Sequence, residues 1–304
     1  MNYNKRILKT GALAVAVTIA FGIFAYRAAE WTKGLNSEFL VLGQSGGTGS
    51  GGGSTGTTGT ATTTTRIIPQ VAVGSFDGNL SKYSTVIQIV NTGTTAATVT
   101  GTFYNEQGAA STLTLATNAT PATFTGTTSS VSVNANSSLV ISGGTTTATT
   151  PSTGSVGWGK IVYTGTVSIS TFFELRDSST GALYSRVGVA ASPADMSKFV
   201  IPRVRDVASG LYVAFALVNS GSTSANYTAT LRDASGTTVK AQTGALAAGA
   251  HTALFTNQFF ALTNEASGRL YHSITFESTS PAFAAIALAF EGATQTSFPV
   301  DRLQ

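Results

Sequence analysis

No cysteine occurs among the 304 residues. That absence removes disulfides, thiolate chemistry, Cys-bound zinc and lipid attachment through an N-terminal Cys together. Stability must therefore come from packing. Histidine is nearly absent too, at two residues, His251 and His272. A Ser-His-Asp relay needs a base beside a nucleophile, and neither histidine has paired or HExxH spacing. Charge is scarce: 10% of residues are charged, against roughly 25% in an ordinary soluble domain. Thr, Ser, Gly and Ala fill the gap, a composition of strands, turns and neutral polar surface.

The formal charge of +4 comes largely from one place. Lys5, Arg6 and Lys9 precede an apolar run, and without them 14 basic residues face 13 acidic ones. No Lys/Arg stripe follows, so nucleic acid is not an expected partner. Carboxylates lie mostly singly, whereas a glycosidase needs two facing each other. Glu174 and Asp177 flank Arg176 and read as a solvated strand end, and Asp77-Gly78-Asn79 reads as an Asx turn rather than a calcium loop. Gly46-Gly47-Thr48-Gly49-Ser50-Gly51 lacks the Gly-Lys-Ser/Thr of a phosphate loop. These patterns predict no catalytic residues, no enzyme, no metal site and no cofactor.

Thr10 to Tyr26 is an uncharged, mostly apolar run between Lys9 and Arg27. It reads as an export signal at the short end of what spans a bilayer. Cleavage after Ala25 and retention as an anchor are both open, and residues 1–27 are assigned to this signal peptide or signal-anchor helix. Either fate places the rest of the chain outside, at the cell surface or beyond it. Within 28–65, Trp31, Leu35, Phe39 and Leu42 recur at helical spacing, a face for a membrane interface or a neighbouring subunit. Gln44 to Thr65 is almost wholly Gly, Ser and Thr, a disordered linker.

From Arg66 onward short alternating runs are bounded by Gly, Asn and Ser. The runs come twice. Ile67-Ile68-Pro69-Gln70 returns as Val200-Ile201-Pro202-Arg203, and Ile87-Gln88-Ile89-Val90-Asn91-Thr92-Gly93-Thr94 returns as Phe215-Ala216-Leu217-Val218-Asn219-Ser220-Gly221-Ser222. Further matches pair Val131–Ile141 with Gly244–Leu254, Lys160–Tyr163 with Arg269–His272, and Ile169–Glu174 with Ile286–Glu291. Repeat 1 spans 66–192 and repeat 2 spans 193–304. Repeat 1 carries two turn-rich inserts, near 75–82 and 110–129.

The order of Ile-Pro, an apolar strand closing on Val-Asn-x-Gly-Thr/Ser, a Thr-rich strand and a late apolar strand resembles the Ig-like β-sandwich repeats of bacterial secreted and surface proteins. The resemblance runs from about Arg66 to Val300. It implies an all-β fold of two tandem Ig-like antiparallel sandwiches, preceded by the apolar helix and the Gly/Thr-rich linker. It also implies structural or adhesive work without catalytic residues, and a rod-like ectodomain. Partners would be other surface proteins, glycans or copies of the chain itself, with the membrane engaged through the N-terminal segment. A filament subunit assembled through the N-terminal helix or linker strand is the alternative, and a carbohydrate-binding module the third reading. Trp158, Phe259 and Phe260 are the candidate partner or glycan contacts, because aromatics exceed what a narrow core line needs.

Overall fold

The computed structural model describes residues 63–76, 81–128, 130–143, 154–206, 208, 210–263, 270–291, 294–298 and 300–303. The apolar run, the Trp31 to Leu42 face and most of the linker lie outside them. Thr63, Thr64 and Thr65, expected in the linker, belong instead to the first strand. β-branched threonines suit an extended ladder as well as a spacer, and here they have a partner strand.

Repeat 1 is built from β1 (Thr63–Val73), β2 (Ser81–Asn91), β3 (Ala97–Asn105), β4 (Thr114–Thr117), β5 (Thr123–Thr125), β6 (Val131–Val133), β7 (Ser138–Ser142), β8 (Ser155–Thr164), β9 (Val167–Asp177) and β10 (Leu183–Ala190). One sheet runs β1-β8-β3-β6 and the other β10-β9-β2-β7-β4-β5. Repeat 2 comprises β11 (Lys198–Asp206), β12 (Leu211–Asn219), β13 (Ala225–Asp233), β14 (Thr238–Leu246), β15 (His251–Phe255), the one-turn helix α1 (Thr256–Phe259), β16 (Leu270–Glu277), β17 (Phe283–Glu291), β18 (Thr294–Phe298) and β19 (Asp301–Arg302). Its ladder is continuous, but β11 and β12 are joined by only two residue pairs, Arg205 with Tyr212 and Asp206 with Leu211. There the sheet folds over into two layers, β14-β13-β16-β11 and β15-β12-β17-β18. Strand for strand this repeats β6-β3-β8-β1 and β7-β2-β9-β10. All pairing is antiparallel.

The ladders correct two sequence matches. Ile68 faces Gly159 and Ile201 faces Ile274, while Gly101 faces Ile161 and Ala229 faces Phe276. Lys160–Tyr163 therefore corresponds to Thr275–Ser278, six residues beyond the run matched by composition. Likewise Gln88 pairs Ser170 where Ala216 pairs Ile286, so Ile169–Glu174 corresponds to Ala285–Phe290, a shift of one. In a strand one residue exchanges the faces. Alternating small and apolar residues resemble themselves in both registers, which is why the sequence alone misplaced them.

Two repeated motifs acquire physical reasons. Ile-Pro marks a break in register, between Ile68 and Val71 in β1 and between Pro202 and Arg205 in β11. A proline has no N–H for the ladder, and a bulge is where a strand tolerates that. The Asn of Val-Asn-x-Gly is fully buried in both copies. Asn91 Nδ2 donates to the carbonyls of Thr95, Val133 and Asn134, and Asn219 Nδ2 donates to those of Thr223, Leu246 and Ala247. Each Oδ1 accepts the N–H two residues on, from Gly93 or Gly221. One amide thus ties a loop to the end of a strand in the opposite sheet.

The 110–129 insert is not a plain loop. It forms the hairpin β4–β5, and β4 pairs with β7, lengthening that sheet beyond its counterpart in repeat 2. Each sandwich has its own core, Ile68, Ile87, Ile89, Phe103, Leu139 and Ile161 in the first and Phe199, Ile201, Phe215, Leu231, Ile274 and Phe276 in the second.

Candidate functional site

Strands buried on one face alternate, and β2 does so. β17, Phe-Ala-Ala-Ile-Ala-Leu-Ala-Phe-Glu, is buried along both faces over its first five residues, and β12 is buried continuously from Phe215 to Asn219. The second apolar face of this sheet has rows set by the register: His251, Val218 and Ala284, then Ala253, Ala216 and Ile286, then Phe255, Ala214 and Leu288, then Tyr212, Phe290 and Gln295. It points away from the core of repeat 2 and into repeat 1.

Repeat 1 meets it with the side of its sandwich between β1 and β10, the outermost strands of its two sheets. Ile67 and Trp158 pack on Val218 and Ala284, and Phe173 and Val187 pack on Ala216, Ala253 and Ile286. Phe173 lies on the same face of β9 as the core residue Ile169, so repeat 2 closes a layer that repeat 1 leaves open. The hairpin after β3 docks as well. Its Glu106 carbonyl accepts the His251 N–H at 2.9 Å, and Gly108 lies against Gly249 so closely that a Cβ there would sit 2.7 Å from backbone. The connection between the halves is pinned by reciprocal bonds between Ser192 and Ile67 and by Ala285 N–H donating to Ser192 Oγ. This makes the pair a thicker block than an end-to-end rod.

At the closed end of the interface His251 Nε2 stands 2.8 Å from Gln70 Oε1, both residues buried. With its proton on Nε2 the ring donates to that oxygen. Gln70 Nε2 and His251 Nδ1 have no hydrogen-bond partner among the described residues. Burial lowers the His251 pKa to about 4, with the Pro69 backbone acting in the opposite direction. The imidazole is neutral with the Gln70 amide beside it, and among the described residues neither a nucleophile nor a carboxylate is hydrogen-bonded to the ring.

Toward the Phe290 row the two repeats separate into a shallow open cleft of about 70 Å³. Phe173 and Val187 wall it on one side and Ala216, Ile286, Leu288, Phe255 and Phe290 on the other, with Gln70 at the inner end and Gln258 and Gln295 among its lining residues. The alanines of β12 make the hollow, since larger side chains there would fill it. No ion pair crosses it among the described residues.

The three candidate contact residues lie elsewhere than expected. Trp158 is 3% exposed, stacked on Tyr104 with ring centroids 4.2 Å apart, and its Nε1 donates to the Gly249 carbonyl at 2.8 Å. Phe260 is fully buried. Phe259 is partly buried and packs edge-on against Phe260 and Phe215. The rings counted as surplus belong to an interior aromatic cluster and to the seam between repeats, so Trp158 and Phe260 cannot stack on an outside sugar. His272 is exposed on β16 and shares nothing with His251.

Glu174 is also not solvated. It is buried with one carboxylate oxygen to Arg176 Nη2 at 2.9 Å and the other to Arg186 Nη2 at 2.5 Å. Asp177 does end a strand, where Oδ1 accepts from the N–H and hydroxyl groups of Ser179 and Thr180 and Oδ2 from Tyr184. Those donors, Ser179 first, hold its pKa below the ordinary carboxylate range. Asp77, Gly78 and Asn79 fall outside the described residues. The cleft itself was missed in the sequence, although unbroken apolar strands are its signal.

No family model matches the chain, and no curated protein matches it. Among solved structures, that of Thermotoga maritima 1070 aligns with 36% of this chain and 96% of its own at 12% identity and a TM-score of 0.28. The C-terminal domain of the Streptococcus agalactiae AgI/II polypeptide BspA aligns with 80% of this chain and 100% of its own at 9% identity and a TM-score of 0.16. The full-length pilus protein RrgB of Streptococcus pneumoniae aligns with 78% of this chain and 42% of its own at 11% identity and a TM-score of 0.13. The chain is thus an all-β protein of antiparallel sheets whose resemblance to these structures is remote.

Proposed function

We propose that the chain is a non-enzymatic structural or adhesive module of the cell exterior, two Ig-like sandwiches joined into one rigid block. The observation that carries this reading is the seam. Its one histidine is neutral and buried, its tryptophan is packed, and its other side-chain contacts are mainly hydrocarbon beside a few hydrogen bonds. Both repeats share the b–e and c–f strand neighbours of an Ig sandwich, as β2–β7 with β3–β8 and as β12–β15 with β13–β16. They differ in setting the first strand beside the sixth, and β9 and β17 beside the second strands β2 and β12. An export signal and low charge support display outside the cell.

Protease treatment of intact cells tests this directly. Loss of the 63–304 portion without lysis is expected, and protection until the cells are permeabilised would overturn the surface assignment.

The filament-subunit reading keeps one specific support. β14 is a nine-residue edge strand bonded only to β13, exposed along much of its length, with Lys240 its single charge. Such an edge accepts an added strand. Negative-stain images of concentrated full-length protein showing only single particles would remove this reading.

A further inference from the structure

The cleft between the repeats is open, apolar and aromatic-walled in a chain that carries a matching apolar stripe of its own. We propose that the cleft is the docking site for the chain's own Trp31, Leu35, Phe39 and Leu42 face, laid over its open end at Phe255, Leu288 and Phe290. Docking would draw the repeats back toward whatever the N-terminal segment is attached to.

Three observations carry this. The first is chemical fit: the lining is mainly hydrocarbon, with rings at Phe173, Phe255 and Phe290, and Phe255 and Phe290 lie side by side on one wall with ring centroids 5.9 Å apart. A groove of that kind takes the i, i+4, i+8 anchors of an amphipathic helix, and Trp31, Leu35, Phe39 have that spacing. A charged ligand head would find no counter-ion beside Gln70 and His251.

The second is reach. The described chain begins at Thr63, and nine residues of β1 carry it to Ala72 on the cleft wall, about 30 Å at strand rise. Between Leu42 and Thr63 lie about 20 residues of Gly, Ser and Thr with neither charge nor proline, for which a coil has an r.m.s. span on the order of 25 Å. Span and distance match. A tether of that length holds its end at an effective concentration of roughly millimolar, so a weak contact is populated within one molecule before a second copy competes.

The third is the shape of the hollow. Ala214, Ala216 and Ala253 are small side chains along the wall, and Phe255, Leu288 and Phe290 beside them are only partly buried.

Tryptophan emission tests the proposal cleanly, because the chain has two tryptophans and Trp158 is buried in the seam. Subtracting the spectrum of full-length Trp31→Phe from that of the full-length parent isolates Trp31. The expected result is a blue-shifted, quencher-protected Trp31 that becomes red-shifted and quenchable in Ala216→Phe or Ala253→Leu, which fill the hollow. Unchanged Trp158 emission in those variants certifies that the fold is kept; Ala253→Leu serves if Ala216→Phe fails this check. A Trp31 that is exposed in the parent overturns the proposal. So does a Trp31 whose emission is indifferent to cleft filling, the outcome if it sits in detergent or membrane. A blue shift that grows with protein concentration assigns the cleft to a second copy and overturns the intramolecular form.

Discussion

Asn91 and Asn219 show how much one side chain can determine. Each amide is itself fully buried and makes four hydrogen bonds, so truncation removes all four at once and leaves a gap where the loop was tied. Asn219→Ala is expected to cost about 2 to 4 kcal/mol, with a similar loss for Asn91→Ala, read as the shift in urea midpoint at unchanged slope. His251 is the other decisive residue. Its folded pKa is depressed below the ordinary value near 6.5, so the unfolded chain binds the proton first as pH falls. The neutral-form stability is complete above about pH 6.5 and drains as pH drops toward 4, by on the order of 3 kcal/mol. Glu106 acts the other way, because burial raises its pKa and acid relieves it, so the net loss is smaller. Asp177, held low, is lost only in stronger acid than either. Denaturation midpoints between pH 7 and 4.5 should fall steadily in the parent and flatten in a Gln70→Leu/His251→Leu double variant.

At the scale of elements, turns and edges are managed differently in the two repeats. The hairpins Asn105–Gly108 and Asp233–Gly236 share one design: a side-chain oxygen accepts the following N–H groups, and a glycine at φ +81° or +83° reverses the chain. Gly108 also needs its missing Cβ because Gly249 backbone occupies the space, whereas Gly236 has nothing near it. Gly108→Ala is therefore expected to destabilise by more than Gly236→Ala, the excess being a loss of seam contact. Comparing their melting temperatures checks this. The β4–β5 hairpin covers the β7 edge in repeat 1, and among the described residues repeat 2 has no such hairpin. Its β15 instead receives the Glu106 carbonyl from repeat 1. Turn residues in the insert read as loop in the sequence; the pairing that makes it sheet comes from β7, a partner that lies outside it.

The two described repeats pack as one block because β12 and β17, at the centre of the sheet β15-β12-β17-β18, are buried on both faces over much of their length. Separating residues 63–192 from 193–304 would bare Phe173, Val187, Ile67 and Trp158 on one side and Ala216, Ile286, Val218 and Ala284 on the other. Each half alone is expected to melt well below the intact protein and to bind a hydrophobic dye, and mixing the halves should restore both properties. Two halves that each melt at the temperature of the intact protein would show that the seam contributes nothing to stability.

The strand-rich character, the twofold repetition and the Asn and Pro landmarks were legible in the amino-acid order, because turn chemistry and alternation act over a few residues. β2, β3, β12 and β13 lie where their patterns predict. The seam was not legible, although its evidence was present in the unbroken apolar run from Phe283 to Phe290. Periodicity reports that a strand is buried on both sides; it is silent on what does the burying. Only the folded chain decides that Gln70 meets His251 across 181 positions, that Trp158 faces inward, and that a hollow lies beside them, since each depends on two surfaces brought together by topology and on neither alone.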